Sequence, residues 1–475
     1  MPARSAVGDC PDVLPGYHPS VADAEDNYRF DDRPIVYGAF DGVFAACNAI
    51  RDSILIGHSP GGCELQLIEV WYFHDLFGTM KRLVMTNLNE DELVHKTEDK
   101  LAVEIVHAQT TRSIDPGVCI VCSTSPAGIV GADLGQAIRT ATPHVKAPIV
   151  PVEAPAYTGD LFDGYERTLA ALARHLVRPV EEKVRSVNVL GYFFHRYERD
   201  CFADVAEIRR LLDLVGVPVQ CVMMEAGTAA EIADAGRAAV NLALPYGHEA
   251  ARVLEERCGQ KTLEVPLPIG IEATREFLLS VGDVTGQADR ARAVVDAEMR
   301  RVMPFVAPVL EDTLGKKVAI SADAANLVAW TRFCAEMEME PVLCCCVQDR
   351  PEVEDEIREV LSAEGRRVPF QPRVLIDPTR REIQEALREH PVDLMIGSAV
   401  EGWDAEQLGI PHLQAFLPMF DEHCLFDRPT LGFSGVLAQA DRLKRILGWG
   451  RNRRMRQDHM VERVRRGTYG PRRVP

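Results

Sequence analysis

VNVLGYFFHRYERDCFADVAEIRRLLDLVGVPVQCVMMEAGTAAEIADAGRAAVNLAL, residues 187–244, shows how the whole chain is built. The apolar runs 187–194 (VNVLGYFF), 218–224 (PVQCVMM) and 239–244 (AVNLAL) are too short for helices. They also lack the alternation of a half-exposed strand, so they read as parallel strands buried on both faces. Between them, 203–214 and 228–238 carry amphipathic helical patterns. Strands alternating with helices are the signature of βαβ units. The scheme recurs at 317–321, 341–347, 373–376 and 393–397, with helices near 323–338, 352–364 and 379–389. Towards the N-terminus the strand candidates are 35–37, 53–57, 82–86, 118–122 and 148–152, with helices near 63–77 and 91–109. The expected fold is α/β: three Rossmann-like domains over 31–185, 186–300 and 301–450, with parallel sheets flanked by helices. Residues 285–314 form a mostly helical connector. Residues 1–30 read as an N-terminal arm and 451–475 as a basic C-terminal tail.

Composition bounds the function. A chain of 475 residues accommodates about three domains. Its net charge of −18 argues against a general nucleic-acid binder. Thirteen cysteines, an odd number that includes the run Cys344–Cys346, suit a reduced cytoplasmic interior better than a disulfide framework. No apolar leader and no run of about 18 apolar residues occurs, so no membrane role is expected. The tail holds nine arginines against Asp458 and Glu462. It reads either as a solvated basic end or as an arm docking on the acidic surface of a sister subunit. GxxxxGK[ST], GxGxxG after a strand and HExxH are all absent. This chain should therefore bind no nucleotide through those loops and is not one of the commoner metallohydrolases.

One loop carries chemistry. SILIGHSPGGCELQLIEVWYF, residues 53–73, runs from a strand through Pro60-Gly61-Gly62 into a helix expected to start at about Cys63. The two glycines let the backbone turn sharply and approach a bulky ligand. A thiolate at a helix N-terminus faces unpaired N–H groups and the positive end of the dipole, which suits a metal-bound sulfur. The alternative is that Cys63 is a small buried packing residue.

The quoted loop, GHSPGGC, resembles the Gly-x-x-Gly-Cys cluster loop of the nitrogenase component 1 superfamily. TNLNEDELVHKTEDKL (86–101) and GVCIVCSTSPAGIVGADL (117–134) are similar to the stretch leading to that family's cluster-binding turn. PIVPVEAPAYTGDLFDGYERTL (148–169) resembles the segment carrying Pro-x-Phe-x-Gly and Gly-Tyr. LEVPLPIGIEATREFLLSVGDVTGQ (263–287) and GIPHLQAFLPMFDEHCLFDRPTLGFSGV (409–436) look like β-type segments. The resemblance implies three α/β domains with a metal cluster at a subunit interface.

It also exposes departures. A nitrogenase β chain offers three cysteines to an eight-iron P-cluster. Here only Cys63 is retained, while the position 25 residues earlier is Gly38 and the later one falls on Ser125. The resemblance therefore implies a [4Fe-4S] cluster rather than a P-cluster, with Cys63 as this chain's ligand and the remaining thiolates from an α-type partner. Ser125 is either an auxiliary oxygen ligand or a hydrogen-bonding residue at the turn. The implied protein is the β-type subunit of a nitrogenase-like, ATP-dependent two-component oxidoreductase, in an α2β2 heterotetramer fed by an ATP-hydrolysing iron protein. An N-type scaffold for cofactor assembly is the alternative, and a metal-free α/β binding protein is a third reading. The α-type cofactor cysteine falls near Pro245, so no M-cluster thiolate is expected here. Cys47, Cys119, Cys122 and Cys344–Cys346 read as packing residues, and His423 and Cys424 as structural.

Overall fold

The computed structural model describes residues 37–65, 67, 82–95, 97–110, 115–363 and 371–447. The N-terminal arm and the basic tail lie outside them, as does most of the helix expected over 63–77.

Three parallel sheets follow one another along the chain. The first contains β1 (Ser53–His58), β2 (Leu83–Met85), β3 (Val118–Ser123) and β4 (Ile149–Glu153), in the order β2-β1-β3-β4. The second contains β5 (Val184–Leu190), β6 (Val219–Val222), β7 (Ala238–Ala243) and β8 (Lys261–Glu264), in the order β6-β5-β7-β8. The third contains β9 (Lys317–Ala322), β10 (Glu340–Cys346), β11 (Arg373–Ile376), β12 (Leu394–Gly397) and β13 (His412–Gln414), in the order β11-β10-β9-β12-β13. The expected α/β architecture with flanking helices is what the chain adopts.

The strands form because their side chains find apolar cover on both faces. In β3, Ile120 and Cys122 enter the main core while Cys119 and Val121 enter a separate cluster behind the sheet. Cys119 and Cys122 thus point to opposite faces and cannot share a metal. In β10, Cys345 faces one cluster while Cys344 and Cys346 face the other. No helix among the described residues is long and apolar enough to cross a membrane.

Several boundaries differ from expectation. The run GYFF at 191–194 is not strand, because β5 ends at Leu190 and Gly191 turns with φ +83°. Its aromatic rings pack between sheets instead, with Tyr165 and Phe193 edge to face at 4.8 Å. Tyr37, the described end of the strand candidate 35–37, is likewise not strand. Strands β8 and β13 went unnoticed, being short and partly polar (KTLE and HLQ). The connector is a single helix, Ala288–Thr313.

Candidate functional site

The site forms where the first sheet reverses its winding. β1 sits between β2 and β3, so successive crossovers leave it in opposite directions, and a crevice opens beyond the carboxyl ends of β1 and β3. The loop after β1 carries Cys63, and the loop after β3 carries Ser125. Both residues, together with Gly38, line one open cleft of about 770 Å³. The three positions that the resemblance aligned with cluster cysteines are therefore brought together, although they lie in three separate segments.

Hydrogen bonds from neighbouring strands hold the Cys63 loop. Thr86 Oγ1 receives the Ser59 N–H at 3.0 Å, donates to Ser59 O at 3.2 Å and lies 3.2 Å from His58 Nδ1. Thr124 Oγ1 donates to His58 O at 3.2 Å, tying the two crevice loops together. His58 is fully buried, and burial lowers its pKa to about 4 against the opposing pull of Glu98, so the ring is neutral. Gly62 adopts φ +105°, a conformation that disfavours a side chain. Cys63 itself lies in the turn, and helical residues begin at Leu65, two positions later than expected. Of the described cysteines, Cys63 alone is exposed. A thiol left at the surface while eleven others are buried is available to a ligand.

Ser125 opens the short helix Ser125–Ile129, and its Oγ accepts the Ala156 N–H at 2.8 Å. The turn role expected for this serine is therefore present, and the hydroxyl still borders the cleft.

The remaining wall was invisible to sequence reasoning. Helices Ala39–Asn48 and Leu161–His175 touch backbone to backbone. A Cβ on Gly42 would lie 1.8 Å from Leu161 O, and one on Gly164 would lie 1.9 Å from Ala39 O. This contact sets Asp41 and Asp160, near the two helix starts, beside Gly38. The Asp41 carboxylate accepts the Gly38 N–H at 2.8 Å, and burial pushes its carboxyl up to about 7 despite that bond and its own N–H. Burial also raises Asp160, which Gln348 opposes by donating Nε2–H to Oδ2 at 2.7 Å. Arg350 pairs with Asp163 at 2.8 Å. Gln348 and Arg350 follow β10, so the third sheet closes the cleft across almost two hundred residues of chain. The pattern Asp160-x-x-Asp163 is legible as a capping box. Its partners in the third sheet carry no sequence signal.

Other expectations resolve as structure. His423 Nδ1 meets Glu198 at 2.8 Å, and the Cys424 N–H donates to the same carboxylate at 2.6 Å. Pro245 begins a turn beside a central cavity of about 80 Å³ where the second and third sheets meet. Among the described residues no cysteine lines that cavity, and two of its carboxylates are engaged, Asp204 by Tyr192 at 3.1 Å and Glu401 by Ser321 at 2.7 Å.

Whether the site suits an iron–sulfur group follows from its donors. Among the described residues no three His, Cys, Asp or Glu side chains converge as a metal site. One exposed thiol on an open cleft cannot close a coordination sphere alone. It suits a group whose other ligands come from a second chain. The rim favours such a neighbour, for Leu65, Ile129 and Tyr157 are 66%, 73% and 62% exposed and lie in or beside the loops of the crevice.

Comparison with known proteins bears on the family and the fold. The model of the family described as nitrogenase component 1 type oxidoreductase matches residues 38–447. A nitrogenase molybdenum-iron protein beta chain from Methanococcus maripaludis is 26% identical over 449 residues, covering 86% of this chain and 92% of the relative. The nitrogenase iron-molybdenum cofactor biosynthesis protein NifE of Methanosarcina barkeri is 26% identical, covering 78% and 81%. The B-type component of the light-independent protochlorophyllide reductase of Methylobacterium sp. (strain 4-46) is 30% identical, covering 64% and 59%. A solved structure described as nitrogenase Cp1 at pH 6.5 superposes with a TM-score of 0.79 at 19% identity, over 89% of this chain and 94% of that one.

Proposed function

The chain belongs to the nitrogenase component 1 type oxidoreductase family, and from that premise we propose that it is the β-type subunit of a nitrogenase-like two-component reductase. The observation that carries the proposal is the convergence of Gly38, Cys63 and Ser125 on one open cleft, with Cys63 the exposed thiol. In this reading Cys63 is this chain's ligand to a [4Fe-4S] cluster shared with an α-type partner in an α2β2 assembly, and Ser125 borders it. A bound cluster supplies one-electron transfer, fed by an ATP-hydrolysing iron protein. The chain's own residues supply position and seclusion. Thr86 and Thr124 hold the Cys63 loop against both strand ends. The Gly42–Gly164 contact and the Arg350–Asp163 pair fix the cleft's far wall. Leu65, Ile129 and Tyr157 present apolar surface that a partner would cover, excluding water and so tuning the potential. A cytoplasmic location belongs to the same reading.

A second reading, an N-type scaffold that carries a maturing cofactor, draws support from the similarity to NifE. It keeps the Cys63 ligand and drops steady-state turnover.

The test is anaerobic co-expression with the α-type partner, followed by absorption and EPR spectroscopy. The complex should be brown, with a charge-transfer band near about 400 nm. Cys63→Ala should lose or reshape the four-iron EPR signal. A colourless complex, or a signal unchanged in Cys63→Ala, would refute the assignment. Turnover with iron protein and ATP separates the catalytic reading from the scaffold.

A further inference from the structure

Sharing no lining residue with the Cys63 cleft, an open cleft of about 470 Å³ lies at the β13 edge of the third sheet, lined by Trp403, Glu406, His412, Gln414, Asp421 and Ile446, among others. Four features give it the chemistry of a receptor for a planar cation. Trp403 is 44% exposed and runs nearly parallel to Phe420, at 13° with centroids 6.3 Å apart, so a broad aromatic surface stands at the rim. Glu406 and Asp421 are exposed carboxylates with no ion-pair partner among the described residues. Gln414 is 5% exposed, yet its side-chain nitrogen has no hydrogen-bond partner among the described residues, and the same holds for His412 Nε2. Leaving such buried polar atoms unmatched is costly, so their pairing in a bound state is favoured.

The donor and acceptor chemistry is specific. Burial lowers His412 to about 4, helped by Arg442 and opposed by Glu422, Asp421 and a Ser398 backbone bond. The ring is neutral at pH 7 and can offer a nitrogen lone pair. The Gln414 amide can turn its oxygen to the cleft. Gly402 makes room for the imidazole, since a Cβ there would sit 2.8 Å from His412 Nδ1. A guanidinium matches all of this: several in-plane donors for carboxylate, amide and imidazole, and a flat cationic face for indole.

The sequence places such groups close by. Ile446 lines the cleft, on the helical run 432–447 that ends the described chain. Arg451, Arg453, Arg454 and Arg456 follow within ten residues of Ile446. The four residues from Leu447 to Arg451 reach up to about 14 Å when extended. We propose that the Trp403 cleft receives an arginine side chain from residues 451–456 of the same chain, so that the basic tail is anchored on the third domain.

The test is brief trypsin digestion of the full-length chain, with cleavage after Arg451, Arg453, Arg454 and Arg456 followed by intact mass. Glu406 and Asp421 are exposed, so E406Q/D421N removes the charges without disturbing the core. The double variant should raise the initial cleavage rate at these arginines about tenfold, as expected when both carboxylate partners of one guanidinium are lost together. Trp403→Ala should act in the same direction. Cleavage elsewhere in the chain should be unchanged. Equal rates in wild type and E406Q/D421N would overturn the proposal. Protection that grows with protein concentration would also overturn it, by making a second copy the occupant.

Discussion

Gly42→Ala opposes two effects whose sizes the structure sets. In an isolated helix the change would stabilise by up to about 1 kcal/mol, because glycine loses more backbone freedom on folding. Here the new methyl carbon would stand 1.8 Å from Leu161 O and 2.5 Å from Tyr165 N. These are backbone atoms of the facing helix, so no rotamer change relieves them. Reaching an ordinary contact of about 3.4 Å requires the helices to part by roughly 1.6 Å, and overpacking of this kind costs about 1–3 kcal/mol or more. The expected net outcome is destabilisation of about 1–2 kcal/mol, with separation felt at the Leu161 N–H to Tyr37 O bond (3.1 Å) and at the Gly38–Asp160 bridge. Urea unfolding followed by far-UV circular dichroism would read it as a lower midpoint. Gly164→Ala attacks the same contact from the other side, so the double variant should cost less than the sum of the two. A Gly42→Ala chain more stable than wild type, or strict additivity, would refute the reasoning that this contact builds the cleft wall.

Other expectations follow from the same geometry. Thr86→Ala removes the hydroxyl that serves His58 and Ser59, leaving buried groups unmet. It should cost about 1–3 kcal/mol in urea unfolding and loosen Cys63, read as faster thiol labelling. Ser125→Ala should keep the cluster signal if the Ala156 N–H is the hydroxyl's main partner, and lose about 1 kcal/mol of stability. Asp204 is buried, and burial raises its carboxyl from an ordinary 3.8 to about 7, against the N–H groups of Leu431 and Thr430. The folded state holds this proton more tightly than the unfolded chain. The stabilisation is therefore complete below about pH 4 and is lost as pH rises through about 7, by roughly 4 kcal/mol at most. Asp204→Asn should flatten the fall in the unfolding midpoint between about pH 4 and 7, and Asp41→Asn should do the same for its own share. An unaltered slope in both variants would contradict the burial argument.

The sheets were legible because parallel strands buried on both faces write nearly continuous apolar runs, as VCIVCS and EPVLCCC do in β3 and β10. Edge strands such as β8 were not, since one face and one flank meet solvent and the apolar run breaks up. GYFF at 191–194 misled for the opposite reason: it is apolar because it packs between sheets, where no ladder is available. Of the site, Cys63 was legible from its Gly-Gly turn and Ser125 through resemblance. Asp41 was not, because a carboxylate near a helix start ordinarily signals capping alone.

The amino-acid order by itself determined the α/β class, the family and the identity of the exposed thiol, because each rests on short-range pattern: periodicity, turn glycines and motif spacing. Only the tertiary structure decided which residues share the cleft. Gly38, Cys63, Ser125, Asp160 and Arg350 meet there through a crossover at the sheet's reversal, a glycine-to-glycine helix contact and a loop from the third sheet. Such contacts are set by long-range packing, and no local signal in the chain records them.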